Sequence, residues 1–307
     1  MNSQERDTIL VPTDFTDVSE FAIDHAVEIA KIFNHKICML HVASKRSIGA
    51  ERVLILEENL ENQADAISRR TGLTVFSLVE DGSIFTTISD VADRLMAEFI
   101  VMGIHGKKGV QHLVGSYAYK VVCSVTIPVL VVKHMHHHVG YKNIVLPVDF
   151  AKKREHKVMQ AVNFARYFGA TVRVFGFLSS RNKAKIIKKE ALLKGVTDIF
   201  KKHDIEVTTQ LLVNPGIDWA EALMNYAEEI DAELIMMVAD KAGRMPEFFY
   251  SNATERIIDK ADVPILTVAP LVEMKKDDAQ KKAFLRPFID PLGLLGHDDL
   301  QIDDGLE

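Results

Sequence analysis

The residues best placed to do chemistry lie in one stretch, Met102-Gly103-Ile104-His105-Gly106-Lys107-Lys108-Gly109, followed after a short apolar run by Gly115-Ser116. Four glycines fall between positions 103 and 115, which removes side chains where a bulky ligand would press on the backbone. Such a loop also lets successive N–H groups converge on one concavity, a geometry that suits phosphate oxygens. Gly115-Ser116 opens a helical pattern, so unpaired N–H donors and a partial positive charge stand beside the loop, with the Ser116 hydroxyl as a further donor. Lys107 and Lys108 could supply counter-charge. A tight surface turn with a serine cap would use the same residues, so the loop alone leaves both readings open.

A second candidate is Asp14, at the end of an apolar run. A carboxylate there can accept hydrogen bonds from a base edge. It can equally serve the following helix as a negative charge near its N-terminus. His105 could donate to phosphate or pack as a turn residue, and His41 is read as closing a core edge.

The chain repeats itself. Ile9-Leu10-Val11-Pro12-Thr13-Asp14-Phe15 recurs as Ile144-Val145-Leu146-Pro147-Val148-Asp149-Phe150, an offset of 135 (144 − 9). Glu98-Phe99-Ile100-Val101-Met102 recurs at Glu233 to Met237 with the same offset, and Ile127 to Val132 recurs at Val263 to Val268, offset 136 (263 − 127). A period this long indicates duplicated domains rather than a solenoid. Each copy alternates short apolar runs with longer amphipathic ones. In the first, strands are expected at Thr8 to Val11, Lys36 to Val42, Leu73 to Val79, Phe99 to Met102 and Val129 to Val132. Helices are expected at Asp17 to Phe33, Glu51 to Arg70, Ile84 to Met96 and Ser116 to Val125, with Asp17 and Glu20 resembling a capping box. In the second copy Ala161, Phe164, Ala165 and Phe168 would line the first helix. This alternation predicts an α/β fold of two tandem doubly wound domains, each a five-stranded parallel sheet flanked by helices. Ligands in such sheets bind beyond the carboxyl ends of the strands where the winding reverses.

These motifs resemble the universal stress protein family, whose loop reads Gly-x-x-Gly, nine residues, then Gly with Ser or Thr. Gly103 and Gly106 match the first pair and Gly115-Ser116 the end, with eight residues between, from Lys107 to Val114. The resemblance extends to Val11-Pro12-Thr13-Asp14, His41-Val42 and Pro128 to Val132, and covers about residues 5 to 133 and, more faintly, 142 to 269. It implies a fold like that of the adenine-nucleotide alpha-hydrolases and an ATP site in the first domain. Asp14 would accept from the adenine amino group, Val42 would offer backbone contacts, and Pro12 and Thr13 would line the pocket. Met102, Gly103, His105 and Gly106 would hold ribose and phosphate together with Gly115, Ser116, Tyr117 and Ala118. It also implies pairing through the fifth strand, here Val129 to Val132 against Ile265 to Val268 within one chain, and leaves open a homodimer of whole chains.

The second copy departs from this pattern. Val238-Ala239-Asp240-Lys241-Ala242-Gly243 stands at the glycine positions and Ser251-Asn252 at the loop's end. Gly176-Phe177 replaces His41-Val42, and Phe177 could crowd the base pocket. The expected organisation is therefore a nucleotide-binding domain at 1–133, a His-rich linker at 134–141, a degenerate domain at 142–270 and an extension at 271–307. The linker run His134, His136, His137 and His138 could bind zinc, copper or nickel, but adjacent histidines fix no geometry. Phe284, Leu285, Phe288 and Ile289 in the extension suggest docking on this chain or a partner.

Composition narrows the class. Of 307 residues 48% are apolar and 26% charged, the mix of a soluble globular protein, and the net charge of −6 argues against a nucleic-acid or acidic-membrane partner. Cys38 and Cys123 both lie in apolar runs and read as small buried hydrophobes in a reducing compartment. No charged start precedes an apolar leader and no apolar run reaches spanning length, so a cytoplasmic location is expected. No paired carboxylates or metal-ligand motif converge on the loop, which allows slow ATP hydrolysis at most. Three readings follow: a stress-responsive regulator that binds ATP, with or without magnesium, in its first domain; an interaction module without nucleotide; or a weak ATPase.

Overall fold

A computed structural model describes residues 7–43, 49–104, 115–125, 127–133, 140–148, 154–238 and 249–268. The first copy runs β1 (Thr8–Pro12), α1 (Asp17–Phe33), β2 (Lys36–Ala43), α2 (Ala50–Thr71), β3 (Val75–Asp81), α3 (Ile84–Arg94), β4 (Phe99–Gly103), α4 (Gly115–Ser124) and β5 (Val129–Val132). The second runs β6 (Asn143–Val148), α5 (Arg154–Phe168), β7 (Thr171–Leu178), α6 (Lys183–Lys202), β8 (Val207–Val213), α7 (Trp219–Glu229), β9 (Leu234–Val238), α8 (Phe249–Lys260) and β10 (Ile265–Val268). The expected α/β alternation is present throughout, and α1 has the expected limits. Its expected capping box is absent: Thr16 holds the N-cap position without a side-chain cap bond, because its hydroxyl is bound to Asp14.

The two five-stranded halves form one ten-stranded sheet in the order β3-β2-β1-β4-β5-β10-β9-β6-β7-β8. Strands within each half are parallel, and the halves meet where β5 pairs antiparallel with β10. The register is Val131 with Ile265, Leu130 with Leu266 and Val129 with Thr267. Leu266 is the counterpart of Leu130 in the repeat (130 + 136), so a pseudo-twofold axis passes between these two residues. This is the pairing that the family resemblance implies.

Strand residues alternate between two cores, as the pleat requires. Ile9 and Val11 face a layer built by α1, α2, α5 and α6. Leu10 faces the opposite layer, where α3, α4, α7 and α8 pack. Both layers cross the junction between the copies. On the first, Phe33 meets Tyr167 with ring centroids 4.6 Å apart, and Tyr141 packs on Phe164 at 5.7 Å and Phe168 at 5.1 Å. Tyr141, the last residue of the expected linker, is only 2% exposed, and its hydroxyl lies 2.6 Å from Nδ1 of His25 on α1. Burial, and secondarily the charge of Glu28, pushes the Tyr141 phenol well above its ordinary range. On the second layer Lys133, buried just past β5, donates to the carbonyl of Asp259 near the C-terminus of α8. An ammonium there meets the negative end of the helix. Burial lowers the Lys133 pKa, and the charges of Asp259 and Asp262 oppose that shift.

Cys38 is fully buried, and burial pushes its thiol up to about 12; Cys123 is partly exposed, and neither cysteine forms a disulfide. No helix among the described residues is long and apolar enough to cross a membrane.

Two outcomes test this packing. Replacing Tyr141 by Phe removes only the bond to His25 and should cost about 1 kcal/mol in urea unfolding. Tyr141→Ala empties the aromatic cluster and should cost about 3–5 kcal/mol. A pH effect comes from Asp218, the N-cap of α7, which accepts from the N–H groups of Ala220 and Glu221 and pairs with Arg256 of α8 at 2.8 Å. The bond from Arg256 leads in holding its pKa below the ordinary 3.8, followed by the backbone bond from Glu221. A lowered folded-state pKa gives stability that is present above the unfolded value and lost as pH falls through the folded one. Acid melting curves should therefore separate wild type from Asp218→Asn above pH 4 and converge below it.

Candidate functional site

In the first half the chain winds outward from β1 to β3 and then returns to the other side of β1 as β4 and β5. The reversal lies between β1 and β4, and the carboxyl ends of β1, β2 and β4 open there. Three expected positions come together at this edge by backbone: Pro12 closing β1 with Thr13 and Asp14 beyond it, Val42 near the end of β2, and Met102-Gly103 at the end of β4. The helix α4 links two parallel strands and so runs back against them, which turns its N-terminus, Gly115, toward the same edge.

Asp14 is exposed, and its local bonds hold it firmly. Its Oδ1 accepts from the Thr16 N–H at 3.2 Å, the Thr16 hydroxyl at 2.5 Å and the Ser19 hydroxyl at 2.6 Å. The Ser19 oxygen in turn accepts from the Asp14 N–H at 3.2 Å. The turn is made possible by Phe15, which sits at φ 63 in the left-handed region and donates its N–H to the Thr13 hydroxyl. That conformation is uncommon for a side chain of this size and is over-determined here by the surrounding bonds. Asp14 thus serves the start of α1 while presenting its carboxylate at the strand ends.

His41 closes the neighbouring position. Its Nδ1 lies 2.8 Å from the carbonyl oxygen of Thr13, and its ring packs on Phe15 at 4.8 Å. Thr13 donates its own N–H to Leu40, so the end of β1 is tied to β2 on both sides of the residue.

Gly103 has a packing reason as well as a possible ligand one. A Cβ there would lie 2.5 Å from the Val18 carbonyl oxygen and 2.8 Å from its carbonyl carbon. Helix α1 therefore approaches β4 closely at the mouth of the site, a contact that the glycine pattern alone did not distinguish from ligand clearance. The side chains of Met102 and Ala118 are fully buried in the core below, so what Met102 can present at the edge is backbone.

His105 and Gly106 lie outside the described residues, as do Lys107 and Lys108. Gly115, Ser116 and Tyr117 are described as helix only, without their side chains. The histidine run 134–138, Asp149, the stretch 239–248 and the extension 271–307 also lie outside. Among the described residues no group of His, Cys, Asp and Glu could hold a metal ion.

In the second copy β6 and β9 form the corresponding reversal. Gly176 stands in register beside Val148, as His41 follows Leu40 beside the end of β1. Its space is not open. A Cβ at Gly176 would lie 2.7 Å from Leu193 Cδ1 and 3.3 Å from Leu211 Cδ1. The carbonyl of Val148, the counterpart of Thr13, is met instead by Nζ of Lys189, a side chain on α6 that is 2% exposed, at 2.5 Å. Nothing in the sequence pattern singled out Lys189, which sits among seven lysines between Lys183 and Lys202.

Two substitutions probe the first site. Asp14→Ala should cost about 1–2 kcal/mol through loss of the bonds that organise the start of α1. Gly103→Val should cost about 1–3 kcal/mol through the clash with Val18, measurable in protein without any ligand.

The model of the universal stress protein family matches residues 5–133 and again 140–269. Among curated proteins, a universal stress protein of Methanocaldococcus jannaschii is 32% identical over 137 residues, covering 41% of this chain and 81% of that protein. Universal stress protein G of Salmonella typhimurium is 31% identical over 141 residues, covering 41% of this chain and 98% of its own. A solved universal stress protein from Archaeoglobus fulgidus shares the fold over 88% of this chain and 98% of its own, with a TM-score of 0.67 at 16% identity. The double match settles the classification: this chain belongs to the universal stress protein family and carries two copies of its domain in one polypeptide.

Proposed function

We propose that the protein is a nucleotide-responsive regulator of a stress response, with one adenine-nucleotide site in its first domain and the second domain as a built-in dimer partner. The observation that carries this reading is the exposed Asp14 carboxylate, fixed at the sheet's reversal beside the β2 and β4 strand ends. An immobilised acceptor of this kind suits the amino edge of adenine. Val42, one strand over, supports the reading through backbone groups at the strand end. The start of α4 offers N–H donors to phosphate, and the glycine loop before it, known here from sequence, suits the same group. ATP is the nucleotide proposed, with the carboxylate at the base end rather than at the phosphates. The sequence brings no paired carboxylates and no metal-ligand motif to the loop, so occupancy rather than turnover is the proposed signal.

One observation favours a second reading. Oδ1 of Asp14 is already engaged by Thr16 and Ser19, so the residue has a structural reason to be present without any nucleotide. Under that reading the chain is an interaction module.

Calorimetric titration with ATP and magnesium decides between them. The proposed function predicts one site per chain, lost in an Asp14→Ala, Gly115→Val double variant that still folds. Absence of binding by wild type would leave the interaction module.

A further inference from the structure

The ten-stranded sheet ends in β3 on one side and β8 on the other, and each of these strands has a single neighbour among the described residues. Their outer backbone groups form the two open edges of the sheet, and an open edge is a template for pairing with another chain. One helix of the same layer flanks each edge, α2 beside β3 and α6 beside β8.

The two flanks are unlike. Beside β3 a groove of about 450 Å³ runs between strand and helix, with Glu57, Glu61 and Asp65 on its helix side and Val75 to Val79 on its strand side. Steps of three and four residues share a helix face, so Leu54 and Glu58 belong to the same row. All five row residues are exposed, Leu54 by 65%. At the offset of 136 that relates the fifth strands, Glu58, Glu61 and Asp65 fall on Lys194, Thr197 and Lys201 of α6. The Thr197 hydroxyl lies 2.7 Å from that of Thr209 on β8, so this row too faces the outer strand. The row also holds Lys183, one acid at Glu190, and Ile187, which is 66% exposed.

Whole elements show the same contrast. Together α2 and β3 carry 7 acids and 3 arginines, a net of −4, whereas α6 and β8 carry 7 lysines and 2 acids, a net of +5. Lys194 reaches Asp198 at 3.7 Å, but an exposed pair of this kind contributes little and exchanges partners at little cost.

Like charges on both edges would keep copies apart. Opposite charges repel only when two acidic or two basic edges meet, and attract when β3 of one copy meets β8 of the next. The strands of the two halves run in opposite directions, and α2 and α6 lie on one face. Laying β8 of a second copy along β3 therefore makes an antiparallel junction of the same kind as that of β5 with β10, with α6 beside α2.

We propose that the protein associates head to tail through its outer strands, the acidic edge of β3 and α2 taking the lysine-bearing edge of β8 and α6 from a second copy. Two different surfaces meet in this contact, so each added copy presents a fresh edge and assembly does not stop at a dimer. The exposed Leu54 and Ile187 give each edge an apolar contact within its charged row.

Sedimentation velocity of the full chain without nucleotide tests this. At about 20 mM salt the weight-average sedimentation coefficient should climb with concentration past that of a dimer. At about 500 mM, where the screening length is about 4 Å, it should return to that of the monomer. One variant, Glu57→Lys with Glu61→Lys and Asp65→Lys, reverses the first edge. Another, Lys183→Glu with Lys194→Glu and Lys201→Glu, reverses the second. Each alone should remain monomeric at low salt. Their equimolar mixture should associate again, because every junction then joins an acidic edge to a basic one, and this recovery also shows that both variants are folded. Wild type that stays monomeric at low salt, or stops at a dimer, would overturn the proposal. So would a variant that associates like wild type, or a mixture that stays monomeric.

Discussion

The antiparallel pairing of β5 with β10 is the constraint on which the rest of the structure depends. Each half alone would end in an exposed parallel edge strand, Val129–Val132 or Ile265–Val268, made of four buried apolar or β-branched residues. Such an edge is a template for association. Joining the two edges about an axis between Leu130 and Leu266 removes both at once and makes the sheet continuous. Everything that crosses the junction then has a fixed frame: the aromatic packing of Phe33 on Tyr167, the bond of Tyr141 to His25, and the Lys133 ammonium at the end of α8. Tyr141, the last residue of the expected linker, is part of this core rather than of a tether.

Fusion also frees the halves to differ. In a dimer of identical chains any change at one pocket appears at both. Here the first edge keeps Asp14 at the helix start and His41 on the Thr13 carbonyl, while the second replaces the histidine with Gly176 and draws Lys189 into place. The same backbone requirement, a donor for the carbonyl that ends the first strand, is met in both halves. One solution uses a side chain of the adjacent strand and the other a side chain of the covering helix.

Much of this was legible in the sequence because it is local or periodic. The duplication could be read from matched heptapeptides, and α1 could be placed at Asp17–Phe33 from Ala22, Ala26, Ile29 and Ala30 recurring on one face. The fifth-strand pairing followed from the family resemblance rather than from any residue pattern. What stayed hidden depends on contacts distant along the chain. The Lys189–Val148 bond spans 41 residues, and a lysine among lysines reads as a solvated face until the helix is docked. Likewise the capping box at Asp17 and Glu20 matched a local rule, but Asp14 captured the Thr16 hydroxyl and Ser19 and organised the helix start in its own way. Gly103 was read for its ligand side, whereas its contact with Val18 arises only when α1 lies on β4.

The central claim is that a nucleotide binds at the strand ends of the first half and not at those of the second. Hydrogen exchange in saturating ATP and magnesium addresses it directly, because peptides from the two halves are read in the same sample. The account predicts slowed exchange at the ends of β1, β2 and β4, around residues 11–14, 42–43 and 102–104, with no change around 146–148 and 176–178. Matching protection in both halves, or protection confined to the second, would contradict it.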